Sequence, residues 1–365
     1  MSMTLKPLDR LQDSLSRCRR ALSAGLLGAV ILTPLSGQAQ PVNDTPYAQR
    51  EDVRQFATDL AQRRGWPEAW VLSVLSKARY QATVTRLIMP SSVATPKDWF
   101  TYRTRMVEPV RLKTGLAFWQ AHDRWLRRAE QRYGVPPDIV LGIVGVESIY
   151  GRQMGRLKVI DALATLSFDF PSGRSDRSAF FRTELESLLA LARREQIDPM
   201  RLKGSFAGAV GMPQFMPSSI EQHAVDFDSD GHIDLSHSAA DVIGSVANYL
   251  VAHGWQRDWP THFEVTPPAE PQALTALLGP DIVPLFSPQE FVDKGAWLPS
   301  TALDHPGKLA LVKLLNGESA PSYVAGTSNF YVITRYNWSS YYAMAVISLG
   351  EALRRARGSD VAGAL

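Results

Sequence analysis

Apolar residues recur at helical spacing through most of this chain. Val53, Phe56 and Leu60, then Val71, Leu72 and Leu75, predict two helices within residues 48–80, broken at Gly65-Trp66-Pro67. Residues 101–133 continue in the same style, with Phe118, Trp119, Trp125 and Leu126 as candidate core. Pro136 and Pro137 suit a first helical turn and Asp138 the positive end of its dipole, so another helix should run to Glu147. A loop is expected at Phe168–Arg177, then helices over Phe180–Arg194, Val242–His253 and Tyr341–Arg357. The pattern changes near Trp255. Residues 260–325 are rich in proline and short apolar runs, and Lys308–Leu315 and Tyr331–Arg335 read as strands. The expectation is a mainly α, α+β protein with a small β-containing insertion, no internal repeat and no transmembrane span.

Glu147 is the most informative side chain. It lies four residues after Ile143 and three after Val144, on the helix face expected to be core. A carboxyl group there loses water, which favours its neutral form, the state a general acid needs near neutral pH. The other reading is a solvated glutamate at a helix end. Residues 204–219 are rich in glycine and small side chains and carry Pro213 and Pro217. That composition suits backbone approached closely, by a ligand or by a packed helix.

Asp226-Phe227-Asp228-Ser229-Asp230-Gly231-His232-Ile233 matches the first half of an EF-hand loop. Alternate carboxylates converge on a hard cation, glycine makes the turn, and the His232 carbonyl is the next ligand, with calcium the expected structural ion. The second half departs from the pattern, because position twelve is His237 and not glutamate; Asp241, at the start of a helix, can close a longer loop. A solvated turn is the alternative.

Charge and cysteine usage bound the cellular setting. Lys6, Arg10, Arg17, Arg19 and Arg20 precede an apolar run, Ala21–Leu35, and then Gly37-Gln38-Ala39, as in a cleavable signal peptide spanning residues 1–39. The run is short of the ~20 residues of a membrane span. The only cysteine, Cys18, precedes it, so no lipid-attachment site follows. Of 39 basic and 36 acidic residues the leader holds five and two, leaving 34 of each, a balance that gives no sign of nucleic acid as partner. Export to the periplasm is expected, without disulfides, and stability must come from a large core and perhaps a metal.

Taken together, the blocks resemble the lytic murein transglycosylase B family. They are Gly145-Val146-Glu147-Ser148 with Tyr150-Gly151-Arg152, Asp161–Phe168, Lys203–Ala209 with Gln214–Ser219, Gly244–Tyr249 and Tyr331–Asn337. The resemblance implies a lysozyme-like core over residues 131–255, with its metal loop at 226–241. It implies a helical domain over 40–130 completed by 343–357, a small β-containing domain at 256–325, a return to the core at 326–342, and a C-terminal helix and tail to 365. It implies a monomer acting on peptidoglycan glycan strands, cleaving the MurNAc-β-1,4-GlcNAc bond to leave 1,6-anhydromuramic ends. Glu147 matches the family's acid/base. Ser205, Gln214, Tyr249, Tyr336, Asn337 and Tyr342 match its glycan-groove residues, and Asp226, Asp228, Asp230, His232 and Asp241 its metal loop. The family's arginine pair is interrupted here, as Arg174 and Arg177, and the namesake's lipid anchor is absent.

Ordinary glycosidases use two carboxylates, whereas only Glu147 lies in a motif. One suffices when the substrate's own C6 hydroxyl is the nucleophile and the acid turns base. Tyr336 and Asn337 can orient the acetamido group or Glu147, or serve only the fold. The rival readings are a hydrolytic muramidase, a non-catalytic peptidoglycan-binding protein and a calcium-responsive interaction protein.

Overall fold

The computed structural model describes residues 45–90 and 97–362, with side-chain placement to 358. The leader and its cleavage site therefore lie outside the described residues. Helices α1 (Glu51–Arg64) and α2 (Glu68–Leu75) part where Gly65 adopts a left-handed φ of 65°. They are followed by α3 (Ala82–Ile88), α4 (Trp99–Met106) and α5 (Pro109–Tyr133). Two of these starts are sealed by acidic caps: Asp98 accepts from Thr101 N–H, and Glu108 from Val110 and Arg111 N–H.

Next comes α6 (Pro137–Ser148), whose residues from Asp138 to Gly145 are all buried. A helix apolar all round belongs at the centre of a fold. Around it lie β1 (Leu157–Lys158), α7 (Val159–Phe168), α8 (Ser178–Arg194), β2 (Lys203–Gly204), α9 (Pro217–His223) and α10 (Ala239–Ala252). The β1 and β2 strands form a short antiparallel ribbon.

The proline-rich stretch then supplies β3 (His262–Glu264), α11 (Pro271–Leu278), α12 (Pro288–Asp293), α13 (Ser300–Leu303), β4 (Ala310–Asn316) and β5 (Ser319–Gly326). The antiparallel sheet has the order β3-β5-β4. Its β4 strand serves two cores: Ala310, Val312 and Leu314 join the main one, while Leu311, with Leu309 just before the strand, joins Leu277, Phe291, Leu298 and Ala325 in a second. That division is the period-two alternation of a strand.

The chain ends with α14 (Ser328–Thr334) and α15 (Ser340–Ala362). The strand expected at Tyr331–Arg335 is corrected here to helix. Thr327 caps it by accepting from Asn329 N–H, and Phe330, Ile333 and Thr334 are buried at helical spacing. Tertiary burial outweighs the β-branched composition.

The α15 helix packs along α6 and reaches α4 and α5. Their backbones nearly touch, because a Cβ on Gly142 would lie 2.3 Å from the Val346 carbonyl oxygen, and one on Gly350 2.4 Å from that of Asp138. Gly142→Ala should therefore destabilise the protein by about 1–3 kcal/mol, the usual range for overpacking. Chemical denaturation of both proteins measures this, and equal stability would mean that the two helices slide apart freely.

Candidate active site

The α6–α15 contact brings Glu147 to Tyr342. Glu147 is half-buried near the end of α6, and its Oε1 accepts a 2.7 Å hydrogen bond from the Tyr342 hydroxyl. Burial pushes the Glu147 carboxyl up to about 7, while the Tyr342 bond pulls the other way. Burial and the Glu147 charge hold the Tyr342 hydroxyl well above its ordinary range, so it stays a donor. With Oε1 accepting, the acid proton belongs on Oε2.

Strained backbone fixes this carboxyl. Ile149, Tyr150 and Gly151 follow α6 with φ of 51°, 54° and 89°. Such a conformation costs of order 1–3 kcal/mol for a residue with a side chain. The compensation is local and specific. The Tyr150 ring lies in a slot left by Gly115 and Gly145, where an added Cβ would meet its hydroxyl at 2.5 Å, and packs 5.4 Å from Phe118. Ser148 Oγ donates to the Met212 carbonyl at 2.7 Å and accepts from Gly151 N–H. Arg111 Nε donates to the Gly145 carbonyl at 3.1 Å.

Aromatic side chains build the wall beside Glu147. Tyr336 stacks on Tyr342 at 6.2 Å and meets Tyr249 and Phe215 at 4.9 and 5.7 Å. Their hydroxyls are tied to backbone: Tyr336 donates to the Pro213 carbonyl at 2.6 Å, Tyr249 to that of Arg335 at 2.8 Å. The loop between β2 and α9 is held by its own polar groups. Ser205 Oγ accepts from Ala207 and Ala209 N–H, and Gln214, itself at φ 51°, donates to the Gly211 and Met154 carbonyls.

The acidic loop forms a second centre. Among the described residues, Asp226, Asp228 and Asp230 bring carboxylate oxygens within 4.8 Å of one another. Asp226 is held by Ser229, Asp230 and Gly231 N–H groups, and Asp228 Oδ2 accepts from Ser238 Oγ. Asp228 Oδ1 is buried with no hydrogen-bond partner among the described residues. An orphaned carboxylate oxygen within a cluster of three carboxylates fits a hard cation.

A family described as "Transglycosylase SLT domain" matches residues 48–351. The chain is 40% identical over 338 residues, 90% of each protein, to the membrane-bound lytic murein transglycosylase B of Escherichia coli. The chain belongs to the lytic murein transglycosylase B family. Its solved structures share the fold. Escherichia coli Slt35 in complex with calcium is 39% identical with a TM-score of 0.72, covering 86% of this chain and 94% of that one. Pseudomonas aeruginosa SltB3 in complex with NAG-anhNAM-pentapeptide is 31% identical with a TM-score of 0.70, covering 83% and 79%. The lysozyme-like transglycosylase architecture expected from the motifs is thereby established, and the enzyme class is a lyase of peptidoglycan.

Within this transglycosylase the residues singled out by sequence divide three ways. Glu147, Tyr342, Tyr336 and Tyr249 gather into one cluster. Ser205 and Gln214 shape the adjoining loop, and Asn337 stands on an exposed turn whose carbonyl accepts from Ser339 N–H. Asp241 is buried beside the acidic loop, where the charges of Asp228 and Asp226 act on it. Its two oxygens accept from Phe227 and Asp234 N–H at 2.8 and 2.9 Å, so it clamps the loop's two arms. His237, at the irregular twelfth position, is exposed and pairs with Asp234. Arg174 reaches the Ile88 carbonyl and Arg177 lies over the Phe180 ring. Sequence reasoning missed the supports of Glu147, namely Gly115, Arg111 and the Tyr150 slot. Ser148 and Tyr150 stood within a motif, but nothing in spacing tied them to residues on α5.

Proposed function

We propose that this enzyme cleaves the MurNAc-β-1,4-GlcNAc bond of peptidoglycan without water, leaving 1,6-anhydromuramic ends, with Glu147 as acid and then base. The observation that carries this reading is the half-buried Glu147 carboxyl, held by the Tyr342 hydroxyl at 2.7 Å and raised to about 7 by burial. Protonated Glu147 donates from Oε2 to the glycosidic oxygen as the C1–O4 bond breaks. The carboxylate left behind accepts the C6 hydroxyl proton as O6 bonds to C1. Glu147 gives one proton to the departing O4 and takes another from the C6 hydroxyl, so it ends the cycle protonated and ready for the next turnover. An intramolecular nucleophile brings effective molarities of order 10⁵ M or more, provided the sugar is held in place. Tyr342 orients Glu147 and stabilises its carboxylate form; Tyr249, Tyr336, Asn337, Ser205 and Gln214 line the way for the glycan. The anhydro sugar in the SltB3 complex supports the same product class here.

Muropeptide analysis tests this. Digested sacculi should yield ends that borohydride leaves unchanged, because an anhydro sugar has no reducing group. Reducible muramic acid as the main end would make the enzyme a muramidase.

Asp226, Asp228, Asp230, the His232 carbonyl and Asp241 would hold calcium, which would supply structural charge neutralisation and take no part in the chemistry. The calcium complex of Slt35 supports that choice of ion. Calcium at a hundredfold excess over Kd should add about 2.7 kcal/mol of stability. Thermal melts with calcium and with chelator measure the effect, which Asp228→Asn should reduce; equal melting temperatures throughout would return the loop to an ordinary turn. Among the described residues no helix is long and apolar enough to cross a membrane. We place the enzyme in the periplasm on the strength of its leader, acting as a monomer.

A further inference from the structure

We propose that His253, backed by His223, is a positioning residue of the glycan groove: the two imidazoles seat the Tyr249 ring, and they do so only while both are neutral. This rests on the reading of Tyr249 as a groove residue given above.

The two histidines come from different elements. His223 is the last residue of α9, and His253 follows the end of α10. Their ring centres lie 5.1 Å apart, and Tyr249 completes a triangle with them. The His253 ring stacks on Tyr249 at 4.0 Å with 25° between the planes, while His223 meets Tyr249 edge to face at 5.2 Å. On its other side Tyr249 meets Tyr336, which stacks on Tyr342, the donor to Glu147. The pair is thus the back of the aromatic wall, joined to the catalytic carboxyl by an unbroken series of ring contacts.

The support is rigid. His253 stands four residues after Tyr249, on the same helical face. Its Nδ1 lies 2.7 Å from the Tyr249 carbonyl oxygen. A carbonyl has no proton to give, so Nδ1 carries the hydrogen and the ring angle is set. Asn248 Nδ2 donates to the His223 carbonyl at 2.9 Å, tying the end of α9 to α10. Tyr249 is therefore held by its hydroxyl at the Arg335 carbonyl and by its ring face at His253.

The surroundings disfavour a charge here. Against the pair stand the other imidazole, Tyr249 on α10 and Arg335 at the end of α14. Glu221, on α9 itself, bonds instead to Ser187 and Arg64. The histidine–carboxylate pairs among the described residues belong to His232 and His237. Burial holds both imidazoles below the ordinary 6.5, with the His253 charge adding to this at His223. At His253 the Tyr249 carbonyl pulls upward and Arg335 downward. The native state thus binds fewer protons than the unfolded chain, so the support is complete above about 6.5 and is lost as pH falls below it. A protonated imidazole is repelled by its partner and by Arg335, and separating the rings unseats Tyr249.

The test follows cleavage of peptide-free glycan strands by the mature enzyme between pH 7.5 and pH 5.5, with kcat and KM resolved at each pH. The variants are His253→Ala, His253→Phe and the double variant His223→Phe/His253→Phe. At pH 7.5 the alanine variant should raise KM roughly three- to tenfold with kcat nearly unchanged, the fold-change expected when one aromatic pair is lost from a binding wall. Phenylalanine at 253 should restore most of it, because a flat ring returns and the Tyr249 carbonyl keeps the His253 backbone N–H at 3.1 Å. In wild type KM should climb toward pH 5.5 while kcat holds, since acid keeps Glu147 protonated; in the double variant KM should stay flat. A wild-type KM independent of pH, or an acid rise that persists in the double variant, overturns the proposal. So does a loss in His253→Ala that phenylalanine fails to restore. If the alanine variant melts below the assay temperature, the wild-type pH series and the phenylalanine variants decide. If wild type cuts the strands while no substitution moves KM, the positioning role alone falls; if it cuts none, the functional reading falls with it.

Discussion

Glu147→Gln will slow sacculus lysis by about three orders of magnitude or more, while leaving folding and sacculus binding in place. Glutamine preserves the size of the side chain, and its carbonyl oxygen can still accept the 2.7 Å bond from Tyr342. What it cannot do is give a proton to the departing oxygen and then take one from the C6 hydroxyl. General acid–base assistance is worth about 10²–10⁴-fold, and here one residue provides it in both directions. Lysis rates and pelleting with sacculi separate catalysis from binding. Residual lysis within tenfold of wild type would remove Glu147 from the acid/base role.

The same substitution should alter stability in a pH-dependent way. The Glu147 carboxyl rises from an ordinary 4.5 to about 7 in the folded protein. Between those values the native state keeps a proton that the unfolded chain has lost, so the native state binds more protons and stability falls as pH rises. The contribution of the neutral carboxyl is complete below about 4.5 and is lost as pH climbs through about 7. A shift of that size corresponds to about 3 kcal/mol. Glutamine does not titrate, so Glu147→Gln should gain on wild type by an amount of that order between pH 4 and pH 8.5, read by urea denaturation at each pH. Activity should decline over the upper part of the same range, because the acid must begin protonated. A stability difference that stays flat with pH would mean that the folded protein leaves this carboxyl with its ordinary affinity for protons.

The helices were legible because their apolar positions repeat every three or four residues, and breaks such as Gly65 and Gly134 carry the left-handed φ that glycine tolerates. The errors arise where neighbours decide. Tyr331–Arg335 has the composition of a strand but buries Phe330 and Ile333 on one helical face. The central strand β5, Ser319–Gly326, shows no alternation strong enough to mark it, because much of its length is polar and exposed. At the site, the burial of Glu147 followed from its spacing to Ile143 and Val144. Its partner Tyr342 stands 195 residues away, and only the family resemblance linked the two. No pattern in one chain predicts that Gly115 on α5 and Gly145 on α6 leave room for the Tyr150 ring. Asp241 was visible as a residue at a helix start, but its bonds to Phe227 and Asp234 N–H depend on how the loop closes.

The most direct measurement is digestion of purified sacculi in water enriched in heavy oxygen, followed by mass spectrometry of the released ends. If O6 of the muramic sugar is the nucleophile, no solvent oxygen enters the product and the ends carry no label. Heavy oxygen at C1 of muramic acid in most fragments would show that water attacked, and would contradict the single-carboxyl mechanism.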